Sequence, residues 1–369
     1  MKTPNKTKQK YAARVSLTAV WTLVLLLAFL AFFAAKWYRD TYGNLGFDSI
    51  LYTLLSDLGG VETELILNFC RKALVPAVAG TVVSCGFSFC MWKKKLCVRG
   101  KQIFPFSNGV ASLLCMLLTV GLLAGGAVTS GLHLYVYDLF HESAIFEEAY
   151  VDPNAVEITF PEKKRNLIYI FLESMETTYF SEEQGGALEV NLIPELYALA
   201  EENVNFSQHE DVGGFRPVSG TTWTIGAMVG QTAGVPLKTP PGVSENDYGQ
   251  ADEGFLPGIT SITDILDDAG YYQTLMVGSV ASFGGRRQYY TQHGADYIYD
   301  LSTARKDGIV PRDYFVWWGM EDKYLFEYAK QELTEISAQE EPFSFTLLTV
   351  DTHHIGGYVC EYCGEEHDE

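Results

Sequence analysis

The sequence predicts a chain in two parts: transmembrane helices at the N-terminus, then an α/β domain whose mainly parallel sheet is sandwiched by helices. Three observations carry this. The 369 residues have a formal net charge of -20 yet a slightly positive mean hydropathy of +0.04. A greasy part and an acidic part reconcile the two. Three uncharged apolar runs, residues 15–35, 73–92 and 110–132, fall in the first part of the chain. Beyond residue 163, continuous β-prone runs alternate with helix-like segments, the pattern of a parallel sheet covered on both faces. The acidic balance excludes nucleic acid as a partner, because phosphate-backbone binding needs a basic face.

Residues 1–137 are read as a membrane domain. Each apolar run is long enough to cross roughly 30 Å of hydrocarbon as a helix. Trp37, Tyr38, Trp92 and Tyr135 stand at the ends, as interfacial aromatics do. The head carries Lys2, Lys6, Lys8, Lys10 and Arg14, and the second connection Lys93, Lys94, Lys95, Arg99 and Lys101, both without an acid. The positive-inside rule puts both in the cytoplasm, so three crossings place everything after Tyr135 outside. The first run is read as a retained anchor: it is long for a signal-peptide core, and no small-residue cleavage site precedes Lys36. Residues 48–69 have apolar side chains at mixed spacing and either lie on the outer membrane surface or pack as a loop. Cys85, Cys90 and Cys115 fall within crossings. Cys360 and Cys363 read as a small disulfide loop in an oxidising setting; a zinc half-site would need two further ligands.

Residues 138–162 are an acidic connector, and the outer domain runs from 163 to 369. The run from Asn166 to Leu172 reads as a buried central strand ending in Glu173. Functional groups of open α/β sheets collect at such strand ends, which makes Glu173 a candidate metal ligand; the alternative is a capping or surface carboxylate. Residues 193–203 read as a helix and 204–206 as a short strand. Between Ser219 and Leu237 a Gly-rich loop becomes a helix-like run, with Thr221, Thr222 and Thr224 at the change. A hydroxyl there sits beside unpaired N–H groups and the positive end of the helix dipole, a place that favours an alkoxide or a phosphate. The alternative is an ordinary N-cap. Residues 259–269 read as a helix closed by Gly270, and 271–277 as a strand. Ser282-Phe-Gly-Gly-Arg-Arg287 then opens a helix, its arginines suited either to a bidentate oxyanion or to a solvated turn. After a helix over 321–337, residues 343–350 read as another buried strand, ending in Asp351-Thr-His-His354. Histidines at a strand end are candidate ligands or phosphate donors, or structural.

Three stretches together, N-L-I-Y-I-F-L-E-S, G-T-T-W-T-I-G-A-M-V and T-V-D-T-H-H, behind three crossings, resemble the phosphoglycerol transferase I and lipoteichoic acid synthase family of the alkaline phosphatase/sulfatase superfamily. The resemblance implies an alkaline phosphatase/sulfatase-like extracellular domain on the plasma membrane. It implies a transferase that moves phosphoglycerol from phosphatidylglycerol to a glycan or glycolipid acceptor through a phosphothreonine-type intermediate. Thr224 matches the metal-bound nucleophile, Glu173 the carboxylate that binds a divalent metal, usually manganese, and Arg286 and His353 the residues that hold the phosphoglycerol group. The family's tryptophan two positions before that arginine is Gly284 here. The family completes its metal site with an Asp-His pair on a later strand, whereas His367-Asp368 is in the reverse order and follows no strand. The catalytic domain is therefore expected to be incomplete at its C-terminus, with weak manganese binding and an exposed sheet edge beside residues 343–350. A phosphoethanolamine transferase of the same superfamily and a degenerate membrane-anchored binding protein are the alternatives. A true sulfatase would need a Cys or Ser in a C/S-x-P-x-R context, which does not occur.

Overall fold

In the computed structural model the described residues are 6–43, 45–55, 63–90, 95–98, 101–105, 108–141, 144–207, 212–240, 243–249, 254–353 and 356–361. Trp92, Lys93, Lys94, Arg99, His354, Cys363 and the pair His367-Asp368 lie outside them. The chain divides into two compact units, Met1–Ser143 and Ala144–Glu369.

In the first unit, α1 (Lys6–Tyr42) is one unbroken helix. α2 (Phe47–Leu55) is short. α3 (Thr63–Phe69) leads through a π-turn, Cys70–Leu74, into α4 (Val75–Cys90), with the Val75 N–H donating to Cys70 O. Pro76 accounts for the π-turn: it has no N–H for the carbonyl four residues back, and its ring would strike it. The helix therefore starts earlier than the uncharged run, and the apolar span is Ile66–Cys90, with Arg71 and Lys72 inside it. A charge ended the run in the sequence, but it does not break the backbone ladder. β1 (Lys95–Val98) and β2 (Lys101–Pro105) pair antiparallel where the sequence showed only a basic loop. α5 (Asn108–Thr129) and α6 (Leu132–Phe140) complete the unit.

Among the described residues three helices are long and apolar enough to cross a membrane: Tyr11–Tyr42, Ile66–Cys90 and Asn108–Thr129. Small residues let them approach closely. A Cβ on Gly80 would lie 2.9 Å from the Phe29 ring, and one on Gly125 3.1 Å from Phe32. Leu25 packs with Cys85 and Cys115, while Leu23, Val82 and Val120 face outward. Arg14 is not an open member of the basic head. It is buried, with Nη1 donating to Asn108 Oδ1 at 3.2 Å and Nη2 to the Ser88 carbonyl.

In the second unit, α7 (Ile145–Glu148) and a 3-10 turn at Pro153–Ala155 precede the sheet. The strands are β3 (Leu167–Phe171), β4 (Tyr272–Val277), β5 (Tyr297–Tyr299) and β6 (Phe343–Leu348), all parallel, in the order β3-β6-β4-β5. Helices cover both faces. On one face Leu275 and Val277 pack with Ile225 and Val229 of α9 (Thr224–Ala233) and Tyr289 and Tyr290 of α11 (Arg286–Gln292). On the other, Met276, Phe343 and Phe345 pack with Leu301 of α12 (Leu301–Lys306) and Leu325 and Ala329 of α13 (Asp322–Ser337). Alternation along β4 divides its side chains between these two cores. α8 (Pro194–Glu202) and α10 (Ile262–Asp268) are the remaining helices, and α10 opens on a capping box between Ser261 and Asp264.

Strand order corrects two expectations. β6 is central rather than beside an open edge, and all six of its residues are buried. β3, read as central, is an edge strand among the described residues, with Ile168 51% and Ile170 45% exposed. Residues 204–206 form no strand; Val204 and Phe206 are exposed.

Candidate active site

The C-terminal ends of β3, β4 and β6 lie side by side, where parallel sheets assemble sites. Glu173 stands two residues beyond β3 on a turn in which Ser174 takes a left-handed φ of 52°. Its main chain is gripped from the β6 end: its N–H donates to Thr349 Oγ1 at 2.8 Å, and its carbonyl accepts from Thr352 Oγ1 at 2.6 Å. Its carboxylate is thereby aimed at Thr224, whose Oγ1 donates to Glu173 Oε2 at 3.1 Å.

Thr224 is the first residue of α9, not its cap. The N-cap is Trp223, in extended geometry and with no side-chain cap bond. That separates the two readings of the threonine stretch. Thr221 is committed elsewhere, its Oγ1 donating to Val218 O and accepting from Val218 N–H, both at 2.9 Å. The loop is fixed by close approach. Leu237 N–H donates to Gly220 O, and a Cβ on Gly226 would lie 2.6 Å from that same oxygen.

Arg286 begins α11 after Gly284 and Gly285, whose φ values of 68° and 75° suit glycine. Gly284 lies against Ile225, the neighbour of Thr224. The Arg286 guanidinium is buried, 5.7 Å from the centroid of Phe283, and its Nη2 donates to Ser279 Oγ and Val280 O, both at 3.0 Å. Its neighbour Arg287 is instead paired with Asp300 at 2.9 Å. His353 follows Thr352, and its ring packs on Trp318 at 4.3 Å between centroids. So Glu173 and Thr224 touch directly, His353 is joined to them through Thr352, and Arg286 is joined through Gly284 and the Phe283–Trp318 pair.

Asp322 was not singled out in the sequence, and Asp351 only as the end of the strand over 343–350. The Asp322 carboxylate accepts the N–H groups of Val350 at 2.8 Å and Asp351 at 3.1 Å, and Asp351 Oδ2 accepts the Asp322 N–H at 3.0 Å. This reciprocal clamp fixes the turn that carries Thr352 and His353. Burial raises the Asp322 pKa; the N–H groups of Val350 and Asp351 oppose the rise and the Glu173 charge adds to it. Burial and the Asp322 charge push Asp351 up to about 6. The only sequence signal was an Asp at a helix start, which reads as an ordinary dipole partner.

Among the described residues no three His, Cys, Asp or Glu side chains converge as a metal site. Glu173 and Thr224 are two oxygen donors in contact, which suits a hard divalent ion but falls short of the three or four protein ligands that hold one firmly.

Residues 165–368 match the sulfatase family. Phosphoglycerol transferase I from Xanthomonas euvesicatoria is 34% identical over 254 residues, which cover 68% of this chain and 34% of the relative. Phosphoglycerol transferase I from Escherichia coli is 29% identical over 361 residues, 96% of this chain and 44% of the relative. The chain thus spans less than half the length of these curated relatives. The lipoteichoic acid synthase LtaP from Listeria monocytogenes superposes with a TM-score of 0.42 at 19% identity, over 61% of this chain and 49% of that one. With more than half of its residues matched, the chain belongs to the sulfatase family.

Proposed function

We propose that this chain carries the nucleophilic centre of a membrane-anchored transferase that takes phosphoglycerol from phosphatidylglycerol. The observation that carries the reading is the Thr224 hydroxyl at the start of α9, free of any capping role and hydrogen-bonded to Glu173. In the first step Thr224 Oγ1 bonds to phosphorus and the bond from phosphorus to the diacylglycerol oxygen breaks. Glu173 Oε2 stands ready to accept the hydroxyl proton, and the departing oxygen takes one from solvent. Thr224 stands at the N-terminal end of α9, and a helix N-terminus favours a phosphate attached there. In the second step a hydroxyl oxygen of a glycan or glycolipid acceptor bonds to phosphorus and the Thr224 Oγ1–phosphorus bond breaks; Glu173 returns the proton to Thr224 Oγ1, and the acceptor's proton goes to solvent.

Arg286 and His353 are assigned to the phosphoglycerol group, with the second Arg286 nitrogen tied to Ser279 and Val280 to hold the guanidinium in place. Glu173 and Thr224 are the pair that would hold a divalent ion such as manganese. Such an ion lowers the pKa of a bound hydroxyl and offsets charge on phosphoryl oxygens. The three apolar helices support membrane anchoring, and the lysine-rich ends support an orientation with the domain after Ala144 outside the plasma membrane.

Diacylglycerol released from labelled phosphatidylglycerol by the intact protein tests this. Thr224→Ala should abolish release, since the covalent route is gone, and Thr224→Ser should keep part of it. Thr224→Ala turning over like wild type would refute the assignment.

A further inference from the structure

The turn Val316–Gly319 plays no part in the chemistry above, yet it is built against strain. Two hydrogen bonds close it, Val316 N–H to Gly319 O at 2.9 Å and Gly319 N–H to Val316 O at 2.8 Å. Inside it Trp317 takes a φ of 54°. A bulky aromatic in the left-handed region is an outlier that only firm surroundings maintain, and such outliers gather at ligand sites. The surroundings here are firm. Met320 N–H donates to Gly278 O at 2.7 Å, and a Cβ on Gly319 would fall 2.3 Å from that oxygen and 2.8 Å from Ser279 Cα. The turn is therefore pinned to the C-terminal end of β4, beside the serine that receives Arg286.

What the turn delivers is Trp318. Its indole packs on His353 at an interplanar angle of 31° and lies 6.0 Å from Phe283, whose ring neighbours the Arg286 guanidinium. The indole remains partly exposed. One aromatic wall thus joins the two side chains assigned to the phosphate-bearing group. Resting on the function proposed above, we propose that this turn is a headgroup-recognition element. In it Trp318 positions the His353 ring and offers a wall for a small uncharged polyol attached to the phosphate. C–H groups pack on an aromatic face while hydroxyls turn outward, and a guanidinium beside that face disfavours a cationic amine in the same place.

The test compares diacylglycerol release from phosphatidylglycerol and phosphatidylethanolamine vesicles by the intact wild-type protein, Trp318→Ala, Trp318→Phe and Thr224→Ala. Loss of one aromatic contact should raise KM for phosphatidylglycerol about 3- to 10-fold. kcat should stay within about twofold, the mark of lost binding rather than lost chemistry. Trp318→Ala should also narrow the preference over phosphatidylethanolamine, and Trp318→Phe should restore both. An active Trp318→Ala with unchanged KM and donor ratio overturns the inference alone. So does an equal fall of kcat and melting temperature in both substitutions with the donor ratio kept, which makes the turn purely structural. A wild-type protein that releases nothing from phosphatidylglycerol, like Thr224→Ala, overturns the proposed function and this inference with it.

Discussion

At Asp351 two demands conflict. Its Oδ2 helps hold the turn that presents His353, while its Oδ1 is buried with no hydrogen-bond partner among the described residues. Burial and the Asp322 charge raise its pKa to about 6, against about 3.9 for an unfolded aspartate. Between these values the folded state binds more protons than the unfolded one, so this carboxyl makes stability fall as pH rises from about 4 to about 6. Asp351→Asn keeps an acceptor and removes the charge. Its melting temperature in detergent should exceed that of wild type at pH 7, and the two should converge near pH 4. A variant that melts lower at pH 7 would mean that the charge is net favourable. The strand end at Glu173 and the helix start near Thr221, Thr222 and Thr224 could be read from the sequence, and the family resemblance picked Thr224 among the three. The roles of Thr349 and Asp322 could not be read. Their work is done through partners 176 and 28 residues away, and no local pattern encodes such a bond.

The start of α9 shows how an element, rather than a residue, sets the place of Thr224. Gly226 faces Gly220 O and the Trp223 ring, where a Cβ would come within 2.6 and 3.1 Å. In an open helix Gly→Ala gains about 1 kcal/mol. Here Gly226→Ala should instead lower the melting temperature and reduce phosphatidylglycerol turnover, because the loop before Thr224 must move to make room. A variant that melts higher with full turnover would show the loop to be compliant. The helices of this unit were legible from their apolar spacing and stops, as at Gly270. Strand order was not. β3 and β6 are both continuous β-prone runs, and Ile168 and Ile170 hide the exposure of β3, since isoleucine suits a strand whether covered or open. β5 and α12, of three and six residues, are too short to show a period.

For the whole molecule, apolar helices ahead of an α/β domain were legible because long uncharged runs are a signal that survives any local error. The prediction at this scale is topological. Protease added to intact cells should remove the domain after Ala144 and spare a tag at Met1, read by blotting for both ends. Protection of that domain would reverse the orientation drawn from the lysines.

The carboxylate of the candidate site follows an edge strand of the sheet. β3 pairs only with β6 among the described residues, and two of its five side chains, Ile168 and Ile170, are exposed. Edge strands fray at a lower free energy than the sheet behind them unfolds. A transient detachment of β3 would carry Glu173 away from Thr224, and Phe171 out of the core on the α9 side, while β6, β4 and the core on the α13 side stayed in place. Heat would then part the Thr224–Glu173 pair before the sheet behind it melted, and the tenure of one five-residue strand would set the range over which that pair is kept.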